Sequence, residues 1–284
     1  MRYSLLGFLL TWYVVLPVST AVAASSDPAI GPALRGIVNQ QAFALGRLHQ
    51  NYREFNNGLA PGIGEILDRE DGNITQLSYR VTVSQQRILA NAAVDYATGD
   101  TFYDGHLMSG APATDTTHNR ILALRGEVGY VVWSDEKGLL APQVEFGYRS
   151  WTRHINGTGQ EERYSHLLLG VGVRGYYALS ENLVAKALVF TGKTINPKIE
   201  GTAGLNWDPA SLGTAPYRRV GIGLDYGLRD GWHVGAMIDY VTWRYGQSGL
   251  FLATYDNGAP AGYFLEPESR TAQTSYLLTI GHEF

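Results

Sequence analysis

The sequence contains no cysteine among its 284 residues, so it forms no disulfide, iron–sulfur cluster or reactive thiol. Charged residues make up only 17 % of the chain and the net charge is -4. This balance argues against a nucleic-acid-binding protein, which normally carries a basic excess. Beyond residue 24, no apolar run approaches the roughly 20 residues of a membrane-spanning helix.

The first residues have the pattern of an export signal. A short basic start at Arg2 is followed by an apolar run over residues 5–18, and Ala21 and Ala23 have the spacing that a signal peptidase recognises. A membrane anchor is the alternative, but Pro17 interrupts the run before it is long enough to span a bilayer. We expect cleavage near Ala23, which gives three parts: signal peptide 1–23, periplasmic segment 24–41 and folded domain 42–284.

The rest of the chain alternates apolar residues with polar residues or glycine, the pattern of β-strands. The clearest run has apolar residues at the even positions from Val220 to Leu228, and a second run from Trp232 to Tyr240 follows after a tight turn. The pattern predicts ten strands, the first at about Ala42–Phe55 and the last at about Thr271–Phe284. Short connections alternate with long ones, the short ones at about 84–87, 134–138, 180–182 and 229–231, the long ones at about 57–72, 99–119, 154–162, 194–214 and 247–270.

The amphipathic strands, their even number and the carboxyl-terminal aromatic residue resemble the Gram-negative outer-membrane β-barrel class. The resemblance implies an all-β fold, a transmembrane antiparallel up-and-down β-barrel of about ten strands. It also implies a monomer in the cell outer membrane, in contact with lipid and lipopolysaccharide, and an assembly machinery that recognises Phe284. A water-soluble barrel, with its apolar face inward, is the alternative.

Tyrosine and tryptophan residues gather near the ends of the predicted strands. This position suits the aromatic girdles of a membrane barrel, where amphipathic rings lie at headgroup level. The residues are Trp133, Trp151, Tyr176, Tyr177, Trp232, Trp243 and Tyr245.

The polar face of the strands carries charges of both signs, which we assign to the lumen because charges on a lipid-facing surface are costly. The main set is Arg80, Asp95, Arg125, Glu127, Glu145, Arg149, Arg174, Lys186, Arg219, Asp225 and Asp239, with Arg47, Arg53 and Arg153 added by the same pattern. In a barrel of modest width these side chains should pair and close the lumen. We therefore expect a structural or surface-interaction role without enzymatic activity. A narrow pore that favours anions is the alternative.

Three further motifs suggest chemistry. The glycine pattern over Gly170–Gly175 lacks the following helix of a nucleotide site, and the acidic run Asp68–Gly72 lacks the spacing of a calcium loop, so we predict no cofactor and no metal. Ten strands also make the chain similar in size to the omptins, surface proteases that use aspartate and histidine on the outer rim. The rim candidates here are Asp68, Asp71, Asp100, Asp104, His106, His118 and His154, and the expected fourth loop contains no histidine. An omptin-like surface protease is therefore the third alternative, after the closed barrel and the narrow pore.

Overall fold

The computed structural model describes residues 30–106 and 110–284, so the predicted signal peptide lies outside the described residues. One short helix precedes a series of strands. In chain order these are α1 Pro32–Ile37, β1 Gln40–Phe55, β2 Ile66–Gln85, β3 Ile88–His106, β4 Pro112–Tyr130, β5 Trp133–Ser134, β6 Gly138–Ile155, β7 Gln160–Ala178, β8 Leu183–Ala203, β9 Leu205–Ser211, β10 Pro216–Gly227, β11 Trp232–Tyr245, β12 Phe251–Tyr255, β13 Pro260–Phe264 and β14 Ser269–Glu283. No helix among these residues is long and apolar enough to cross a membrane.

Ten of the strands close into one antiparallel barrel. Their order around it is β1, β2, β3, β4, β6, β7, β8, β10, β11 and β14. The last strand pairs with the first, from Gln40 opposite Glu283 to Glu54 opposite Ser269. The predicted fold class and the predicted pairing of the terminal strands are therefore confirmed.

The alternation places the apolar residues on the outside of the barrel. Leu124, Leu169, Ile222 and Ile238 expose 41, 50, 58 and 43 % of their surface. The residues that alternate with them along each strand point inward. Asp239, for example, is only 3 % exposed. This is the opposite of a soluble barrel, whose apolar face would fill the interior.

The apolar outer surface is a belt that covers only part of each strand. On β4 it runs from Tyr130 to Leu122 and gives way to Arg120, and on β1 it ends at Leu45 before Arg47. Nine residues of a tilted strand make a belt roughly 20–25 Å tall, about the height of the apolar band on membrane barrels. The belt adjoins the end of the barrel with the short connections, which we call the short-turn end.

Beyond the belt, the barrel continues at the opposite, long-loop end. The predicted long connections are largely strand here, and β3 and β4 pair as far as His106 and Pro112. The sequence missed this extension because both faces of these strands are polar, so the alternation disappears. The connection after β8 forms β9, which also pairs with the β12–β13 hairpin beside the barrel mouth.

Helix α1 lies in the segment that the sequence analysis assigned to the periplasm, and it fills the short-turn end of the lumen. Leu34 and Ile37 are 0 and 2 % exposed, packed among Leu89, Leu139 and Tyr176 from the barrel wall. The helix fits closely at Gly36, where a β-carbon would lie 2.1 Å from the Glu283 carboxylate. An apolar plug therefore closes this end of the barrel.

Candidate functional site

The eleven main residues that the sequence analysis assigned to the lumen all lie on inward-facing positions of the barrel strands. We call them the inner network: Arg80, Asp95, Arg125, Glu127, Glu145, Arg149, Arg174, Lys186, Arg219, Asp225 and Asp239. They comprise six cations and five carboxylates, so their charges nearly balance.

Arg219 on β10 is the centre of the inner network. Its Nη1 donates to Glu127 Oε1 at 2.7 Å and to Glu145 Oε1 at 2.8 Å, and its Nη2 donates to Asp239 Oδ2 at 2.8 Å. Glu127 also accepts from Arg174 Nη2 at 2.5 Å. Because β4 and β6 lie across the lumen from β10, the bonds from Arg219 to Glu127 and Glu145 cross it, whereas Asp239 lies on the neighbouring strand β11.

Two further contacts join diametrically opposite strands. Arg125 on β4 donates to Asp95 and reaches Asp239 on β11, with 3.8 Å between Nη1 and Oδ2. Arg149 on β6 donates to Gln273 Oε1 on β14 at 2.5 Å. The inner network therefore braces the barrel across its full width.

The remaining cations of the inner network have local partners. Lys186 donates to Asp225 on the neighbouring strand β10, and Arg80 lies 3.4 Å from Asp95. The cavity between α1 and the network has a volume of only about 50 Å³. It is large enough for water and too small for a solute.

A second charged group fills the lumen beyond the belt, and we call it the outer cluster: Glu54, Glu70, Arg153, Glu162 and Glu266. Arg153 Nη2 lies 2.8 Å from Glu70, and its Nη1 lies 3.0 Å from Glu54 and 3.3 Å from Glu162. All five residues are at most 7 % exposed. One buried guanidinium therefore serves three carboxylates directly.

Glu266 approaches the outer cluster from the connection between β13 and β14. Its Oε1 accepts from Tyr164 at 2.6 Å, and Tyr52 lies 3.4 Å away. Burial, together with repulsion from Glu54 and Glu162, raises the pKa of Glu266 well above its usual range. A protonated Glu266 relieves the excess of negative charge that one arginine leaves.

Asp68, at the long-loop end of β2 and outside the belt, also holds its proton more tightly. Burial and the nearby Glu54 raise the pKa of Asp68 to about 7, although its Oδ1 accepts from the His106 backbone N–H at 2.9 Å. Two carboxyl groups at the long-loop end, those of Asp68 and Glu266, therefore hold their protons to a higher pH than an exposed carboxyl group does.

Of the outer cluster, only Arg153 was assigned to the lumen from the sequence, and the four glutamates were missed because they come from both strands and connections. The sequence analysis placed residues 68–72 in a loop, whereas the structure places them in β2 with Glu70 directed inward to Arg153. One signal in the sequence could have predicted the cluster. Tyr52 and Glu54, like Glu162 and Tyr164, are two residues apart, so each pair lies on one face of its strand.

Two expectations about individual side chains are wrong. Arg47 and Arg53 were assigned to the lumen, but they are exposed and share the outer face of β1 with Phe43 and Leu45. That face is polar there because it lies beyond the belt.

The predicted aromatic girdle is also only partly right. Trp133, Tyr177 and Trp232 are 46–49 % exposed on the outer face, but four of the seven rings point inward and are at most 4 % exposed: Trp151, Tyr176, Trp243 and Tyr245. Three of these line the middle of the lumen, where the Arg149 guanidinium lies 4.7 Å from the Trp243 ring. These four rings pack the interior of the barrel and do not contribute to a girdle at the lipid headgroups.

The rim candidates do not form one site. His118 and Asp100 are in contact at 2.7 Å, but both lie on the outer flank of β3 and β4 and face away from the lumen. Asp104 is bound to Arg69, Asp71 accepts from Asn51, and His106 Nδ1 contacts the Leu67 carbonyl. Among residues 30–106 and 110–284, no group of acidic and histidine side chains is arranged to hold a metal ion.

The architecture is shared with solved membrane barrels. The outer membrane protease OmpT from Escherichia coli matches with a TM-score of 0.61 at 11 % identity, covering 87 % of this chain and 97 % of that one. The chain has the fold of an outer-membrane β-barrel. The translocator domain of autotransporter NalP from Neisseria meningitidis matches with a TM-score of 0.40 at 10 % identity over 87 and 88 % of the two chains, too low to support an argument.

The outer-membrane barrel fold at this identity carries no activity with it. No family model and no curated protein matches the sequence.

Proposed function

We propose that the chain is an integral outer-membrane protein whose lumen is closed and whose extension beyond the belt acts at the cell surface, in a structural or binding role. The observation that carries this proposal is the set of contacts that cross the lumen, from Arg219 to Glu127 and Glu145 and from Arg125 to Asp239. Helix α1 adds a second closure at the short-turn end. A solute would have to displace both.

The location follows from the belt and from the even number of strands. The first barrel strand begins and the last one ends at the short-turn end, which in this class faces the periplasm, and the extension then projects outward. Lipid and lipopolysaccharide surround the belt of a monomer. Phe284 is 66 % exposed at the end of the closing strand, where an assembly machinery can reach it.

We propose no catalytic role. In an omptin-like protease the acidic and histidine residues would line the mouth of the barrel and share a water. The Asp100–His118 pair here points sideways, where a peptide entering the mouth does not pass. Peptidase activity that is lost in a His118→Ala variant would overturn this part of the proposal.

Planar-bilayer recording tests the closed lumen. The unmodified protein should show no steady unitary conductance. Arg125→Ala, Arg149→Ala and Arg219→Ala together remove the contacts that cross the lumen at the belt, but α1 still seals the short-turn end. Leak current should therefore become large only when residues 30–38 are deleted as well.

The matched control replaces Arg120 and Arg163, two arginines on the outer face, by alanine in the same deletion background. This variant should stay closed. Stable, ion-selective conductance of the unmodified protein would instead make a narrow pore that favours anions the better proposal.

A further inference from the structure

Four arginines stand side by side on the outer flank of the barrel, beyond the belt. Arg244, Arg270, Arg53 and Arg69 lie directly opposite one another on β11, β14, β1 and β2, and all four are exposed. At the spacing of neighbouring strands the row is about 15 Å long. We call it the arginine row.

The two middle members of the arginine row have no acidic partner among the described residues. At its ends, Arg69 Nη2 donates to Asp104 Oδ2 at 2.5 Å and Arg244 lies 3.8 Å from Glu268. Like charges directly opposite each other destabilise a sheet. The row is therefore arranged for an anion that comes from elsewhere.

The height of the arginine row indicates where that anion is held. Arg244 is four residues beyond Tyr240, the last apolar residue of the belt on β11, and Arg53 is eight beyond Leu45 on β1. At about 3.3 Å per residue on strands tilted by about 40°, the oblique row rises from roughly 10 to 20 Å above the belt. This is just outside the hydrocarbon and its headgroup layer.

We propose that the arginine row binds the phosphate groups on the sugar core of lipopolysaccharide in the outer leaflet. The row faces sideways, so it meets molecules that stand on the same membrane, and guanidinium groups bind phosphate with two parallel hydrogen bonds. The inference rests on the proposed outer-membrane location. It does not depend on whether the lumen is closed, so conductance and lipopolysaccharide binding fail independently.

The test uses a double variant that carries both Arg53→Gln and Arg270→Gln. Its binding in detergent is compared with that of the unmodified chain. The probes are lipopolysaccharide with a phosphorylated core, the same lipopolysaccharide without core phosphates, and inorganic phosphate. The unmodified protein should bind the first at least tenfold more tightly than the second, and the double variant should lose this preference. High salt should lower the affinity of the unmodified protein for lipopolysaccharide more than that of the double variant, because exposed charges are screened.

The control variant is Arg120→Gln with Arg163→Gln, two exposed outer-face arginines that already have Glu161 and Glu200 as partners. It should change the affinity less than twofold. Without lipopolysaccharide, the Arg53 and Arg270 variant should unfold at the same or higher denaturant concentration, because repulsion is relieved. Equal affinity of the double variant and the unmodified chain would overturn the proposal, as would inorganic phosphate competing at the concentration of the lipopolysaccharide.

Discussion

The two charged groups in the lumen differ in how they balance charge. The inner network sets six cations against five carboxylates, and several of its contacts, such as Arg125–Asp239 and Arg219–Glu127, run between strands on opposite sides of the barrel. The outer cluster sets Arg153 alone against four glutamates, and burial with repulsion from Glu54 and Glu162 raises the pKa of Glu266 well above its usual range. The inner network is therefore a brace that needs all of its charges, whereas the outer cluster depends on its single cation.

The largest effect should follow from Arg153→Met. This change leaves Glu54, Glu70 and Glu162 buried without a cation, and the loss of one partner from a buried ion pair costs about 3–5 kcal/mol. The free energy of unfolding, measured by urea titration in detergent at pH 7, should fall by about that amount. At pH 4 the deficit should be smaller, because the abandoned carboxylates take up protons.

Arg163→Met is the matched control for Arg153→Met. Arg163 binds Glu200 on the outer flank, where its side chain is 50 % exposed, and such surface pairs contribute about 0–1 kcal/mol. If the two variants lost the same stability, the outer cluster would not depend on its cation as described.

The barrel could be predicted from the sequence because the alternation is strong within the belt. Leu124 and Arg125, for example, are adjacent residues that face lipid and lumen. Because side chains alternate between the two faces, the face of one residue determines the faces of all the others on that strand. Beyond the belt the outward residues are polar too. There the sequence could not separate Arg53, which points outward, from Glu54, which points inward, and of the outer cluster only Arg153 was assigned to the lumen.

Removing a single carboxylate should have opposite effects in the two groups. Asp239→Asn deprives Arg219 of the partner that it binds through Nε and Nη2, and it should cost about 2–3 kcal/mol. Glu266→Gln keeps an acceptor for Tyr164 and removes a carboxyl from a crowded site, so it should be neutral or stabilising by up to about 1 kcal/mol. Both are measured by the same urea titration.

A loss of more than about 2 kcal/mol in Glu266→Gln would show that the Glu266 charge is itself required. If Asp239→Asn left the free energy of unfolding unchanged, Arg125 and Arg219 would not rely on that carboxylate. Either result would remove the contrast between the inner network and the outer cluster.

The smallest effect is a change in local stability with pH at the connection before β14. The raised pKa values of Glu266 and Asp68 mean that the folded state holds these protons more tightly than the unfolded state. Their contribution to stability is fully present below about pH 4, where both states are protonated. It declines as the pH rises, for Asp68 through a pKa of about 7 and for Glu266 above its usual range.

Alkaline pH should therefore loosen the contacts that hold this connection to the barrel. The Glu266 backbone N–H donates to Ser248 Oγ at 2.7 Å, and the Ser248 N–H donates to the Glu266 carbonyl at 2.9 Å. Hydrogen exchange of these two amides, corrected for intrinsic rates, should accelerate several-fold as the pH rises above the usual pKa range of a glutamate carboxyl. Amides of β4 within the belt should not change, and Glu266→Gln should abolish most of the acceleration. The titratable and charged groups that face Glu266 are Glu54, Tyr52, Arg153, Glu162 and Tyr164. Equal acceleration in the Glu266→Gln variant would show that the proton responsible is not on Glu266.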